Sequence, residues 1–271
     1  MVEYQDSTVV VETTTAFNTK REFHNDETST YWLPKDDGEQ KRLTGQHFIF
    51  KKLFGGNVLS SVSEVLDFEK GVTILDAECG SDVWVMDMIH DHPNCTYYGC
   101  DIADTDNAFD FVHMRLFIAA LREDEWPAAI NEVLRVAKPG GMIQLMEYVS
   151  KQPKDTSCLN YKVIIAFRDI CTSIGQNSDI GADLEHMLSI HSNLRIVQSD
   201  FREFDMSSSI LTAKRFIWDA LQGLKNMQYV IGPMLEIATD KEYADFLYEY
   251  ERILKTKETL ISFNSVAVQK L

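Results

Sequence analysis

The segment ILDAECGSD, residues 74–82, places three carboxylates and one glycine in a turn between an apolar run and an amphipathic one. Such a loop offers backbone N–H groups at a helix N-terminus, beside the carboxyl end of a strand, where parallel sheets bind ligands. Asp76 ends the first strand and Asp101 the second. A carboxylate at the second position can accept both hydroxyls of a ribose, and its bland alternative is a helix cap. His113 and Arg115 close a third strand and Glu147 closes a fourth. His113 reads as a general base or, equally, as a structural histidine, and Glu147 as a pocket acid or a loop cap. His90, His92 and Cys95 lack the paired spacing of a zinc site, so no metal is expected. No catalytic residue is assigned.

The elements that must position these groups alternate in type. Residues 72–76 form a short apolar run, and 82–90 carry Trp84, Val85, Met88 and Ile89 at helical spacing. Strands follow at 95–101 and 109–114. Residues 123–137 form the clearest helix, with Trp126, Ile130, Val133, Leu134 and Ala137 on one face and charges that complement the helix dipole. Pro139-Gly140-Gly141 ends it before a strand over 142–149. Strand and helix alternating at these distances predict a parallel sheet covered by helices. Ahead of it, Asp36-Asp37 and Gly55-Gly56 bracket an amphipathic helix carrying Leu43, His47, Phe50, Lys51 and Phe54. Beyond Pro153 come longer helical stripes, a strand candidate at 194–198 and a closing strand at 260–268. The predicted organisation is a mobile arm over residues 1–28 and one domain over 29–271, with a helical cap at about 153–257.

Composition narrows the function classes. The chain has 271 residues, 45% of them hydrophobic, with 26 Lys plus Arg against 42 Asp plus Glu, a formal charge of −16. That charge repels polyphosphate backbones and anionic lipid, so neither nucleic acid nor membrane is expected as a partner. No apolar run approaches the roughly 18 residues of a membrane span, and the acidic N-terminus has no signal-peptide pattern. Five scattered cysteines make no disulfide framework. A reduced compartment follows, the cytoplasm first, with the nucleus left open.

In order, the chain contains YWLPKDDGEQKRLTGQHFIFKKLFGGN, ILDAECG, GCDI, FDFVHMRL, EDEWPAAINEVLRVAKPGG and IQLMEY. From about Arg21 onward this resembles the fungal class I S-adenosylmethionine (SAM)-dependent methyltransferases of small-molecule and regulatory type. The resemblance implies a Rossmann-like α/β sheet with flanking helices and SAM as cofactor. By position it puts the methionine-binding loop on residues 74–82, with Asp76, Glu78 and Gly80, and the ribose acid on Asp101, next to Ile102. It puts the end of the strand lining the methyl-transfer pocket on Met114 and Arg115, and a covering residue on Tyr31. Cys79 has no catalytic role on this reading. The implied function is methyl transfer to a small molecule or protein side chain. The alternative is an inactive relative that binds a regulatory partner. A nicotinamide dehydrogenase is disfavoured, because no G-x-G-x-x-G follows a strand.

Two departures from the family pattern matter. The loop's three glycine positions hold Glu78, Gly80 and Asp82. Glycine serves where backbone approaches a ligand or takes positive φ, and a carboxylate about 4 Å from the cofactor's own costs roughly 1 to 4 kcal/mol. Moreover, only residues 102–108 separate Asp101 from Phe109, too few for a parallel crossover of a dozen or more. The sheet then either pairs these strands antiparallel or stretches the linker across its end. The polar N-terminal composition buries little apolar surface, so deleting residues 1–20 should leave the thermal midpoint nearly unchanged. A fall of several degrees in a melting experiment would mean that Val9-Val10-Val11 is docked.

Overall fold

The computed structural model describes residues 33–77, 80, 82–100 and 106–271. The expectations for the arm and for Tyr31, Glu78, Cys79, Asp101 and Ile102 lie outside the described residues.

Helix α1 (Asp37–Phe54) forms where the sequence places it. The Asp36 carboxylate caps it, accepting from the N–H groups of Gly38 at 3.0 Å and Glu39 at 3.2 Å. Gly55 ends it at φ 80°, a left-handed conformation that glycine takes at no steric cost. A short α2 (Ser60–Val65) leads into β1 (Thr73–Ala77), α3 (Val83–Asp91), β2 (Thr96–Cys100) and β3 (Phe109–Arg115). Next come α4 (Trp126–Val136) and β4 (Ala137–Val149), whose first residues include the Lys-Pro-Gly-Gly turn. Helices α5 (Leu159–Ser173) and α6 (Ile180–Ser189) precede β5 (Leu194–Asp205). Helices α7 (Leu211–Asn226), α8 (Gln228–Met234) and α9 (Asp240–Thr256) precede β6 (Leu260–Lys270).

The six strands form one sheet in the order β2-β1-β3-β4-β6-β5. Strands β1 to β4 pair in parallel, and β6 inserts antiparallel between β4 and β5. Alternation along each strand divides the core. Ile74, Phe111, Met142 and Ala267 pack with Trp84 and Met88 on the α3 face. Leu75, Val112, Ile143 and Val266 pack with Trp126, Ile130 and Leu184 on the face of α4 and α6. A third cluster, including Phe50, Phe216, Tyr243, Leu254 and Phe263, joins α1 and the late helices to the end of the sheet.

Four expectations need correction or refinement. Tyr98, in the strand expected at 95–101 of a sheet covered by helices, is 50% exposed, because β2 is the sheet's edge and, among the described residues, no further strand or helix covers that face. Ile89 is exposed because α3 turns only Trp84 and Met88 fully inward. The helical cap is not continuous over 153–257. Within that span α6 packs on the sheet, so closely that a Cβ on Gly181 would overlap the Tyr148 carbonyl, and β5 is a full edge strand. Finally, β2 and β3 flank β1 and both run parallel to it, so the chain returns to the opposite end of the sheet between Cys100 and Phe109.

These burial differences predict unequal responses in β3 and β2. Phe111→Ala should lower the unfolding free energy by about 3–5 kcal/mol. Tyr98→Ser should cost less than about 1 kcal/mol. Urea denaturation of both variants checks this, and a large loss at Tyr98 would show that the edge is covered in solution.

Candidate functional site

Parallel pairing sets Asp76 of β1 directly beside His113 of β3. Their side chains therefore leave the same face of the sheet, and His113 Nδ1 lies 2.7 Å from Asp76 Oδ1. A carboxylate only accepts, so Nδ1 carries the proton and donates. Both groups are buried, and Trp84 at the start of α3 stacks on the imidazole at 4.0 Å between ring centroids and 4° between planes. Burial lowers the His113 pKa, and Asp76 offsets part of that shift. His113 is thus an enclosed imidazole, fixed by Asp76 at one nitrogen and by Trp84 on its face.

Arg115 lies two residues further along β3. Its Nη1 is 3.4 Å from His47 Nδ1 on α1, and its guanidinium sits 5.6 Å from the Phe50 ring centroid. His47 Nε2 in turn lies 2.9 Å from Asp87 Oδ2 on α3. Asp87 also receives Lys51 Nζ and Asn57 Nδ2, each at 2.8 Å. Burial alone would raise the Asp87 pKa, but the hydrogen bonds from Lys51, Asn57 and His47 outweigh it and hold the carboxyl at about 2. Burial lowers the His47 pKa more than Asp87 raises it. The chain Arg115–His47–Asp87–Lys51 therefore clamps α1 onto α3 across the end of β3. The space left beneath the clamp, between Trp84, His113, Arg115 and Gln144, is about 20 Å³, room for roughly one water.

Of the expected cofactor residues that are described, Asp76 and Met114 turn their side chains inward. Asp76 holds His113, and Met114 is 1% exposed in the α4-side core. Gly80 has φ 52° and Asp82 φ 57°. Asp82 therefore takes the left-handed conformation favoured by glycine, one that aspartate tolerates better than most residues. The Asp82 side chain makes no cap hydrogen bond to α3. The first N–H groups of that helix face the carboxyl end of β1, an orientation that accepts an anion. Glu147 is a loop cap, accepting from the Phe117 N–H at 2.7 Å and the Ile118 N–H at 3.2 Å.

Those two N–H groups belong to the turn that follows β3, and the turn borders a second feature. A cavity of about 300 Å³ lies beyond the β3 and β4 ends, with Leu116, Ile118 and Tyr148 on the sheet side and Val163, Phe216 and Tyr250 on the helices. Arg42, Gln46 and Asp219 reach it. Arg42 donates to Glu39 through Nε and Nη2 and to Asp219 through Nη1 at 2.9 Å, and Gln46 Nε2 donates to Asp219 Oδ2 at 3.0 Å. The sequence reading missed this cluster. Glu39 and Arg42 look like an ordinary exposed i,i+3 pair, and nothing in the sequence shows that Asp219, 177 residues from Arg42, meets them. Among the described residues no group of His, Cys, Asp and Glu could hold a metal ion, and no helix is long and apolar enough to cross a membrane.

A methyltransferase-domain family matches residues 65–145, the span from α2 through β4 that builds this sheet end. This part of the chain is similar to methyltransferase domains, and the curated relatives it matches include fungal proteins. The secondary metabolism regulator laeA of Coprinopsis cinerea is 28% identical over 156 residues, covering 47% of this chain and 38% of the relative. The N-methyltransferase tcpN of Claviceps purpurea is 27% identical over 184 residues, covering 55% and 64%. The chain thus spans about two fifths of the length of the laeA regulator. Among solved structures, the cyclopropane synthase MmaA2 of Mycobacterium tuberculosis superimposes with a TM-score of 0.53 at 12% identity, over 90% of this chain and all of that one. A loganic acid methyltransferase with bound SAH gives 0.51 at 9% identity, over 92% and 98%. At these identities the structural matches establish the methyltransferase fold.

The depressed histidines carry a pH prediction. As pH falls through the ordinary histidine value of about 6.5, the unfolded chain binds more protons at His47 and His113 than the folded chain, whose burial lowers both pKa values. Stability is therefore fully present above that value and is lost as pH falls below it, by up to about 1.4 kcal/mol per pH unit for each histidine. His113→Gln should flatten the slope by one histidine's share in urea titrations at several pH values. An unchanged slope would show that His113 takes up the same number of protons folded and unfolded.

Proposed function

We propose that the chain binds SAM at the carboxyl end of β1 and transfers its methyl group to a small molecule or protein side chain held under the cap. The observation that carries this reading is the left-handed backbone at both Gly80 and Asp82, leading into α3 with no cap hydrogen bond from the Asp82 side chain. A helix N-terminus of this kind fits a cofactor bearing a carboxylate, because its donors are N–H groups. Bound there, SAM supplies an electrophilic methyl on a sulfonium. On this reading Gly80 and Asp82 hold the methionine half, Asp101 and Ile102 the ribose side, and Tyr31 the open face. Asp76 positions indirectly, by fixing the His113–Trp84 stack from which α3 starts. Arg115, His47 and Asp87 keep α1 closed over the sheet end. The adjoining cavity orients the acceptor, and alignment supplies most of the rate, so no side-chain base is required. The acidic surface fits a small-molecule or protein partner in the cytoplasm or nucleus better than nucleic acid or anionic lipid.

A second reading, binding or regulation without turnover, is favoured by the secondary-metabolism regulators among the relatives and by the carboxylates at Glu78 and Asp82. Titration calorimetry of the full chain with SAM separates the two. Replacing Glu78 and Asp82 together by glycine should raise SAM affinity at least tenfold, and part of that gain should vanish at high salt. Adding Asp101→Ala should abolish the gain. No binding by either protein would favour the second reading, and tight binding by the unmodified chain would refute suppression by charge.

A further inference from the structure

We propose that the cavity under the cap selects an apolar ligand bearing an ammonium group, with Asp219 as its counter-ion. The proposal names the ligand class of the acceptor cavity, with the ammonium as its anchor and not as the methylated atom, so its role in methyl transfer rests on the reading above, whereas its binding does not.

The argument begins with charge. Glu39, Arg42 and Asp219 form one buried cluster with exposures of 1%, 6% and 6%. Two carboxylates share one guanidinium, and Arg42 is the only cation acting on Asp219 among the described groups. A buried cluster with one excess negative charge is unfavourable unless a cation or a proton balances it.

Hydrogen bonding then shows which carboxylate is open to a ligand. Glu39 takes both Arg42 Nε contacts, at 2.9 and 3.1 Å, the Nη2 contact at 2.5 Å, and a further hydrogen bond from Asn226 Nδ2. Asp219 takes one donor on each oxygen, Arg42 Nη1 and Gln46 Nε2. A carboxylate has about four acceptor positions, so Asp219 retains capacity for a further donor. Asp219 lines the cavity and Glu39 does not. Burial raises the Asp219 pKa despite Arg42, as expected of an acid short of positive charge.

The remaining wall sets the other half of the ligand. Val163, Ile164, Phe167, Phe216, Leu224 and Ile261 give it an apolar surface. A cavity of about 300 Å³ lies at the small end of ligand pockets. An alkyl or aryl amine fills such a wall and brings the missing charge to Asp219. An alcohol of the same shape brings no charge, and a carboxylate adds repulsion.

The test uses the full chain without SAM and three probes of equal length, n-octylammonium, n-octanol and n-octanoate, measured by calorimetry at pH 7.5. Octylammonium should bind at least tenfold more tightly than octanol, and octanoate most weakly. This ranking is read on the unmodified chain and does not depend on any variant folding. Asp219→Asn should remove the preference for ammonium while octanol binding remains. Ala220→Phe, which fills the cavity, should abolish binding of all three with the thermal midpoint retained. Octanol binding as tightly as octylammonium, a preference that survives Asp219→Asn, or no binding at all overturns the proposal. SAM binding without an ammonium preference would leave methyl transfer standing and discard this ligand class. The reverse result would retain the ammonium site and discard methyl transfer.

Discussion

A carboxylate buried at the end of β1 must be hydrogen bonded, and much of the sheet end is arranged around that need. Asp76 and His113 meet because parallel register sets them side by side. The pair locks the tautomer of the imidazole, and Trp84 can then stack on a ring whose plane is fixed. Trp84 belongs to the first turn of α3, so the buried pair also determines where the N-terminus of that helix lies. Removing one partner of such a pair leaves an uncompensated buried group, typically costing about 3–5 kcal/mol. The residue that looked most like a catalytic base thus carries structural weight.

The clamp through Arg115, His47, Asp87 and Lys51 extends the same logic outward. Each group is partly removed from water and each satisfies the next, so α1 is held to α3 through polar contacts as well as apolar ones. On the other side of α1, Phe50 enters the aromatic cluster with Phe216 and Phe263, at centroid distances of 5.6 and 4.9 Å. One helix therefore closes the sheet end with one face and roofs the cap cavity with another. A shift of α1 would alter both regions together, which couples the start of α3 to the cavity by simple packing.

The edges of the sheet show how the fold departs from a fully covered α/β layer. At one edge β2 leaves Tyr98 half exposed, and at the other β5 carries Arg195, Asp200, Arg202 and Glu203 along an exposed strand. Charges on an edge strand discourage pairing with another chain. Lys151 covers Phe201 there, with its ammonium 5.2 Å from the ring centroid. The antiparallel β6 between β4 and β5 is fully buried over its centre, which anchors the C-terminal segment in the middle of the sheet.

Local pattern sufficed for elements whose signals lie within a few residues. Asp36 and Gly55 bracket α1, periodic Trp126, Ile130, Val133 and Leu134 define α4, and short β-branched and aromatic runs mark β1, β3 and β6. Caps, turns and amphipathic periods are local physics, so the sequence by itself determined them, together with the class of sheet. What only the tertiary structure decided depends on contacts between distant residues. Tyr98 reads as a core residue until its strand proves to be an edge. Leu194 begins a strand of 12 residues because β6 offers it a partner along its whole length. Asp76 and Met114 read as ligand contacts until register turns their side chains inward, and Glu39, Arg42 and Asp219 become a site only when α7 packs against α1. Pairing, burial and charge balance are properties of neighbours in space, and a single sequence names neighbours only along the chain.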